Sequence, residues 1–361
     1  MQQEQEACVL YTNVPAIWQV MLDDCLAATQ TIDMEQYIFC ADAIGRKFLE
    51  VFKEKARAGV RVRLLLDAVG SWSVYRDTRL HKDLLDAGVE LRWYNRFVPF
   101  FLHRLGAVYF RNHRKLLVVD GTFGHIGGVN IRYDMHSWRE THARLQGLAV
   151  RSMARSFNTL WVKCKISLPH IVKKPKAKGV SEFEFLPNSP GRRRGYVYKA
   201  ICKAIRNSQT RAWITVPYFI PTLHFMYLLK KARARGVDVR ILLPEKNDLP
   251  LLGIGMHSYF GSLLRSDIGL FLYQPAVLHA KVVVCDEDWA TLGSLNFDNV
   301  SLRCNLEANL AVTRPSIVAE LAEHFEKDLA QSKVLTYDLW QQRSFKHKVL
   351  EKLLWPFHAL L

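Results

Sequence analysis

Three segments of this chain occur twice, in the same order. KARAGVRVRLLLD at Lys55–Asp67 returns as KARARGVDVRILLP at Lys231–Pro244. In both, a basic amphipathic helix stops at a glycine and leads into a Val/Leu-rich run that reads as a buried strand. QTIDMEQYIF at 30–39 is mirrored by QTRAWITVPYFI at 209–220, and HRKLLVVD at 113–120 by HAKVVVCD at 279–286. A shared order means that one α/β unit has been duplicated. Each unit reads strand, helix, strand, helix, then further strands, which calls for a mostly parallel or mixed sheet with helices on both faces. The expected divisions are a first domain at 1–170, a basic linker at 171–194, a second domain at 195–335 and a tail at 336–361.

Within the repeat lies a denser pattern. His113 and Lys115 are followed by Asp120, Gly127, Gly128 and Asn130; His279 and Lys281 are followed by Asp286, Gly293, Ser294 and Asn296. The spacing H-x-K-x4-D-x6-G-[G/S]-x-N is the same in both, and its place in a duplicated unit leaves chance out of account. Apolar residues alternate with period two through Arg111–Asp120, so a strand would point His113 and Lys115 to one face. Leu117 and Val119 continue that face, while Leu116 and Val118 take the other. One half-site can hold a phosphate but has a single imidazole. Two half-sites facing each other supply two histidines, two lysines and two asparagines around one phosphorus. That set suffices for in-line displacement: a nucleophile, a general acid for the leaving oxygen, and positive charge on the phosphoryl oxygens. It requires no metal and no cofactor.

Composition narrows the partners. With 50 Lys and Arg against 34 Asp and Glu, the net charge of +16 favours polyanions: nucleic acid, anionic lipid or phosphorylated substrates. The 49% hydrophobic content excludes a disordered chain. Seven scattered cysteines form no CxxC pair, which argues against a zinc ribbon or a disulfide framework and for a reduced, cytosol-facing protein. Neither a signal peptide nor an apolar run of about 18 residues is visible.

The two motifs, HRKLLVVD…GGVN and HAKVVVCD…GSLN, resemble the paired HKD motifs of the phospholipase D superfamily. The resemblance extends from about Gln30 to Val312. FRNHRK, YQPAVLHAK and WATLGSLNFDNVSLRCNLEAN narrow it to bacterial cardiolipin synthases, particularly the shorter type without N-terminal membrane spans. It implies an α/β fold of two pseudo-symmetric phospholipase D-like α/β/α sandwich domains sharing one central active site. It also implies phosphatidyl transfer between phospholipids through a phosphohistidine. Carried over, His113 is the nucleophile and His279 the general acid, later the base. Lys115, Lys281, Asn130 and Asn296 bind phosphate oxygens, and Ser294 adds a hydroxyl donor that Gly128 lacks. Asp120 and Asp286 complete the catalytic motifs and order local strands and turns. Glu140 and Glu307 stand where the family has carboxylates that orient the histidines across the domain interface.

The motifs alone fit phosphatidyl transfer, phospholipid hydrolysis or nucleic-acid cleavage. Two features tilt the expectation to lipid. The stretch FVPFFLHRLGAVYF at 97–110 is aromatic and aliphatic where a nuclease would be polar. In 344–361, helical plotting puts Phe345, Val349, Leu350, Leu353, Leu354 and Phe357 on one face, opposite His347, Lys348, Glu351 and Lys352. That is an interfacial anchor, with Trp355 at headgroup level, or else a helix packed on its own domain. The expected partners are therefore an anionic phospholipid membrane and phospholipid substrates, not nucleic acid, at the cytoplasmic face of a bacterial cell membrane.

Overall fold

The computed structural model describes residues 6–96, 110–164, 181–190, 195–248, 250–345 and 348. The first half builds a seven-stranded sheet from β1 (Ala7–Asn13), β2 (Thr31–Gln36), β3 (Arg61–Asp67), β4 (Glu90–Tyr94), β5 (Leu116–Val119), β6 (Phe123–Gly127) and β7 (Arg139–Gln146). Its spatial order is β1-β7-β6-β5-β2-β3-β4. Strands β2, β3 and β4 are parallel, and the remaining pairings are antiparallel. Helices α1 (Val14–Ala27), α2 (Ala43–Arg57), α3 (Trp72–Tyr75), α4 (Thr78–Asp86) and α5 (Leu148–Lys163) complete this half.

The second half repeats the plan with β8 (Phe183–Asn188), β9 (Arg211–Thr215), β10 (Asp238–Pro244), β11 (Gly269–Tyr273), β12 (Val282–Cys285), β13 (Trp289–Gly293) and β14 (Glu307–Val312). A further strand, β15 (Ser332–Leu335), adds to β11, giving the order β15-β11-β10-β9-β12-β13-β14-β8. Its helices are α6 (Tyr196–Asn207), α7 (Leu223–Ala234), α8 (Pro250–Leu264), α9 (Asn299–Arg303) and α10 (Pro315–Ala330). The duplicated α/β architecture read from the repeat is the one observed.

Local chemistry explains the repeated helix–strand step. Asp42 caps α2 by accepting from Ile44 and Gly45 N–H at 3.2 and 3.1 Å, and Thr222 caps α7 through Phe225 N–H at 3.2 Å. Ile44, Phe48, Leu49 and Phe52 give α2 one buried face. Past each helix the chain reverses at Gly59 (φ +87°) or Gly236 (φ +93°), a left-handed turn that a Cβ would oppose. The alternation in the motif strand sorts as expected. Leu117 and Val119 join the core under α1 and α2, while Leu116 and Val118 join an inner core that spans both halves. Residues of α5 and α10 belong to that inner core.

Three expectations meet a different chain. The strand expected from Arg111 begins only at Leu116, because Asn112 instead bridges to Leu306 of the other half. The stretch 171–194 is not wholly linker: Phe183–Asn188 is β8, paired with β14 and burying Phe183 and Phe185. The expected tail at 336–361 starts with a short helix, Tyr337–Gln341, whose Trp340 packs on the second core. The amphipathic stretch from 344 onward lies almost wholly outside the described residues, as does 97–109. Among the described residues no helix is long and apolar enough to cross a membrane.

Candidate active site

Backbone pairing between the halves builds the site. His113 N–H donates to the carbonyl of Leu306 at 2.9 Å, and Leu306 N–H donates to Arg111 at 2.9 Å. On the other side His279 N–H donates to Arg139 at 2.9 Å, and Arg139 N–H donates to Val277 at 2.9 Å. These two short parallel bridges are pseudo-symmetric. Each clamps a histidine to the residue that precedes a glutamate in the opposite half, and register does the rest.

The side chains follow. Nδ1 of His113 lies 2.9 and 3.0 Å from the two oxygens of Glu307, and Nδ1 of His279 meets Glu140 Oε1. Facing a carboxylate, each Nδ1 carries a hydrogen, so Nε2 is the ring nitrogen left for substrate, with a lone pair in the neutral imidazole and a proton in the imidazolium. Lys115 Nζ donates to the His113 carbonyl at 2.7 Å and Lys281 Nζ to the His279 carbonyl at 2.5 Å. Both ammonium groups are thereby folded back beside their histidines. Asn130 and Asn296 are buried; Ile38 N–H donates to Asn130 Oδ1 at 3.3 Å. Asn296 Oδ1 has no protein partner among the described residues.

Aromatic rings wall the histidines. Tyr37 stands edge-on to His113 with centroids 4.9 Å apart, and Lys115 Nζ lies 5.3 Å from the Tyr37 ring. Trp138 and Tyr218 lie 5.3 and 6.4 Å from His279. The Tyr218 hydroxyl donates to Asp248 at 2.6 Å. The motif spacing does not point to these rings. The repeat places two of them close to equivalent positions: Tyr37 stands two residues before Phe39 and Tyr218 one residue before Phe219, and those phenylalanines bridge to Ile131 and Phe297.

Burial sets the electrostatics. It lowers Lys115 to about 7 and Lys281 to about 8, while the glutamates of both halves pull each lysine back up. It raises Glu140 to about 7 against the charge of Lys281, and carries His279 well below its ordinary value. Burial also lowers His113, with the Glu307 charge opposing. The site is thus buried, and burial makes charge on its two lysines costly until an anion enters.

Asp120 and Asp286 lie elsewhere. Asp120 is seven residues beyond His113 along an extended chain, roughly 20 Å at strand rise. Its carboxylate accepts from the N–H groups of Thr29, Gln30 and Thr31 at 2.8, 2.8 and 2.7 Å, and from the Thr29 hydroxyl at 3.0 Å. Asp286 does the same for Gln209, Thr210 and Arg211. Both residues have positive φ, +52° and +51°, in matching turns. They tie the motif strand to the start of β2 or β9 and touch neither histidine.

Ser294 also departs from expectation. Its hydroxyl donates to Glu307 Oε2 at 2.5 Å and accepts from Ala308 N–H at 3.0 Å, so it is engaged with the carboxylate rather than offered to phosphate. At the equivalent Gly128, a Cβ would stand 2.4 Å from Glu140 Oε1. Glu140 fills the space a serine would need, and accepts instead from Thr141 N–H at 3.1 Å. Among the described residues no group of three His, Cys, Asp or Glu is arranged to hold a metal ion.

Comparison with known proteins bears on this site. The chain matches the family described as "Cardiolipin synthase, PLD-like domain" over residues 21–161 and 201–329, the two repeats. A cardiolipin synthase of Geobacillus sp. (strain WCH70) is 31% identical over 361 residues, covering 95% of this chain and 70% of the relative. The probable cardiolipin synthase YwiE of Bacillus subtilis (strain 168) is 31% identical over 349 residues, covering 92% and 68%. The chain thus spans about two thirds of the length of these curated relatives. In fold it is similar to the crystal structure of phosphatidylserine synthase from Haemophilus influenzae Rd KW20, with a TM-score of 0.75 at 14% identity, covering 98% of this chain and 93% of that one. A polyphosphate kinase from Porphyromonas gingivalis shares the fold at a TM-score of 0.64 and 11% identity, covering 99% and 54%. With both repeats matched and both half-sites assembled, the chain belongs to the cardiolipin synthase family of phospholipase D-like proteins.

Proposed function

We propose that the protein is a phosphatidyltransferase of the phospholipase D type, moving a phosphatidyl group from a donor phospholipid to phosphatidylglycerol or a related alcohol. The observation that carries this reading is the crossed pairing of His113 with Glu307 and His279 with Glu140 around two buried lysines. Names of the relatives supply the substrate class; the geometry supports the chemistry.

In the proposed reaction Nε2 of His113 attacks the donor phosphorus. A P–N bond forms, the P–O bond to the leaving alcohol breaks, and His279, entering the step as an imidazolium protonated on Nε2 once the phosphate anion is bound, gives that oxygen its proton. The acceptor hydroxyl then passes its proton to His279 and attacks the phosphohistidine, releasing the new phosphodiester and restoring His113. Lys115, Lys281 and the two asparagines hold the non-bridging oxygens, where charge builds in each transition state. Glu307 and Glu140 fix the imidazole tautomers and stabilise positive charge on the rings. The protein would act on lipid from the cytoplasmic side as a peripheral protein, with no nucleic-acid substrate.

The test is incubation of the purified chain with phosphatidylglycerol vesicles, followed by lipid analysis, with plasmid DNA in parallel. Formation of a diphosphatidyl product supports the reading. Phosphatidic acid alone would make the protein a hydrolase, and nicked plasmid a nuclease.

A further inference from the structure

The outer helical layer of the second half has an unusual charge distribution. Neither α6 (YVYKAICKAIRN) nor α7 (LHFMYLLKKARA) contains a carboxylate. By contrast α2, the matching outer helix of the first half, carries Glu50 and Glu54 among its cations. Lys199, Lys203 and Arg206 are exposed along α6, and His224 and Lys231 along α7. Between the helices is a recess of about 250 Å³, lined by Tyr198, Lys199, Cys202, Lys203, Arg206 and His224.

Beside that recess two large apolar side chains face solvent. Leu223 is 83% exposed and Tyr227 55% exposed. They are four residues apart on α7 and so share a face. Lys231, one turn further, holds its Nζ 5.6 Å from the Tyr227 ring. A leucine this exposed at a helix start does nothing for the core, since Phe225, Met226, Leu228 and Leu229 already bury the opposite face.

The position of this face is informative. Leu223 follows Tyr218 by five residues, and Tyr218 packs on His279. Ile220 N–H donates to the carbonyl of Phe297 at 2.7 Å, next to Asn296. The apolar end of α7 is therefore tied to the second half-site by the loop that walls it. Apolar tips flanked by cations, with no acid among them, match a surface that is anionic at headgroup level and apolar just beneath. A phosphodiester backbone would complement the cations but not the leucine.

We propose that the α6–α7 face docks the protein on an anionic phospholipid bilayer. Leu223 and Tyr227 enter the headgroup region, and lipid phosphates occupy the recess of Lys199, Lys203, Arg206 and His224. This surface is separate from the 344–361 stretch and rests on the lipid reading of the active site.

Two double variants of the full chain test it: Leu223→Ser with Tyr227→Ser, and Lys203→Ser with Arg206→Ser. Each is sedimented with vesicles of phosphatidylglycerol and phosphatidylcholine in equal parts, and with phosphatidylcholine alone. Turnover of a short-chain phosphatidylglycerol, below its micelle concentration, is measured on the same preparations. Each variant is expected to lose affinity for the mixed vesicles by about tenfold or more, with short-chain turnover within about twofold of the parent. Unchanged vesicle affinity in both variants overturns the proposal, as does loss of affinity for a short DNA duplex while vesicle binding persists. If the parent turns over no phospholipid at all, the transferase reading fails on its own, and the sedimentation still decides the surface.

Discussion

His113 and Glu307 belong to different halves of the chain, yet Nδ1 of the imidazole lies within 3.0 Å of both carboxylate oxygens. The contact is set by backbone, because His113 N–H is bonded to Leu306, the residue before Glu307. Glu140 and His279 repeat the arrangement in the opposite direction. Each half therefore orients the other half's histidine, and neither half-site is complete alone.

Replacing Glu307 with Gln keeps the shape but removes the charge that fixes the His113 tautomer. Turnover is expected to fall by roughly a thousandfold, with KM within a few-fold and the melting temperature unchanged or raised. Steady-state kinetics at saturating lipid check this. A variant within about tenfold of the parent would deny Glu307 its positioning role.

Gly128 and Ser294 are equivalent in the repeat but not interchangeable. Gly128→Ser forces a Cβ toward the buried Glu140 carboxylate and should lower both stability and turnover. Ser294→Ala removes one donor to a buried carboxylate, at a cost of about 1–3 kcal/mol, without a clash. Thermal melts and rates on both variants separate the two effects: the first substitution is expected to be the more damaging.

Asp120 acts on stability. Burial alone would raise its carboxyl, but the N–H groups of Thr31, Thr29 and Gln30 hold it below 3.8. Its contribution is thus present at neutral pH and is lost as pH falls below the ordinary carboxylate value. Asp120→Ala is expected to cost about 2 kcal/mol or more at pH 7 in denaturant titration, and less near pH 3. Residual folded enzyme should retain turnover; an inactive but fully stable variant would place the aspartate in the chemistry instead.

The lysines predict a proton-linked affinity for phosphate. With Lys115 near 7 and Lys281 near 8, the empty site is partly neutral above pH 8. A bound phosphate favours the charged ammonium, so binding at pH 8 takes up protons and weakens as pH rises from 7 to 9. Calorimetry of inorganic phosphate in buffers of different ionisation enthalpy measures that uptake. Proton release instead would mean that the lysines are charged without the anion.

The duplication was legible because its chemistry is repeated in side chains: capped basic helices, turn glycines and the H-x-K spacing all stand in the string of residues. The bridges from His113 to Leu306 and from His279 to Arg139 were not, since they join backbones far apart in the chain through no side-chain pattern. For the same reason the motif strand looked longer than β5, as the extended residues before Leu116 pair with the other half. Strand β8 was hidden among basic and proline-rich flanks, although Phe183 and Phe185 alternate as a half-buried strand should. The role of Ser294 depended on a partner thirteen residues away whose direction only the fold reveals. The glutamates were found through resemblance, and the backbone bridges between the halves supply the physical reason for their positions.

The central claim is that one phosphatidyl group passes through His113 while His279 handles the protons. The most direct test is to trap it: His279→Ala is mixed with phosphatidylglycerol vesicles, quenched in base, and digested for mass spectrometry of the histidine peptides. The account predicts a base-stable, acid-labile phosphatidyl adduct on His113, absent from His113→Ala. Full transfer activity in either histidine variant, or an adduct on any residue other than His113, would contradict it.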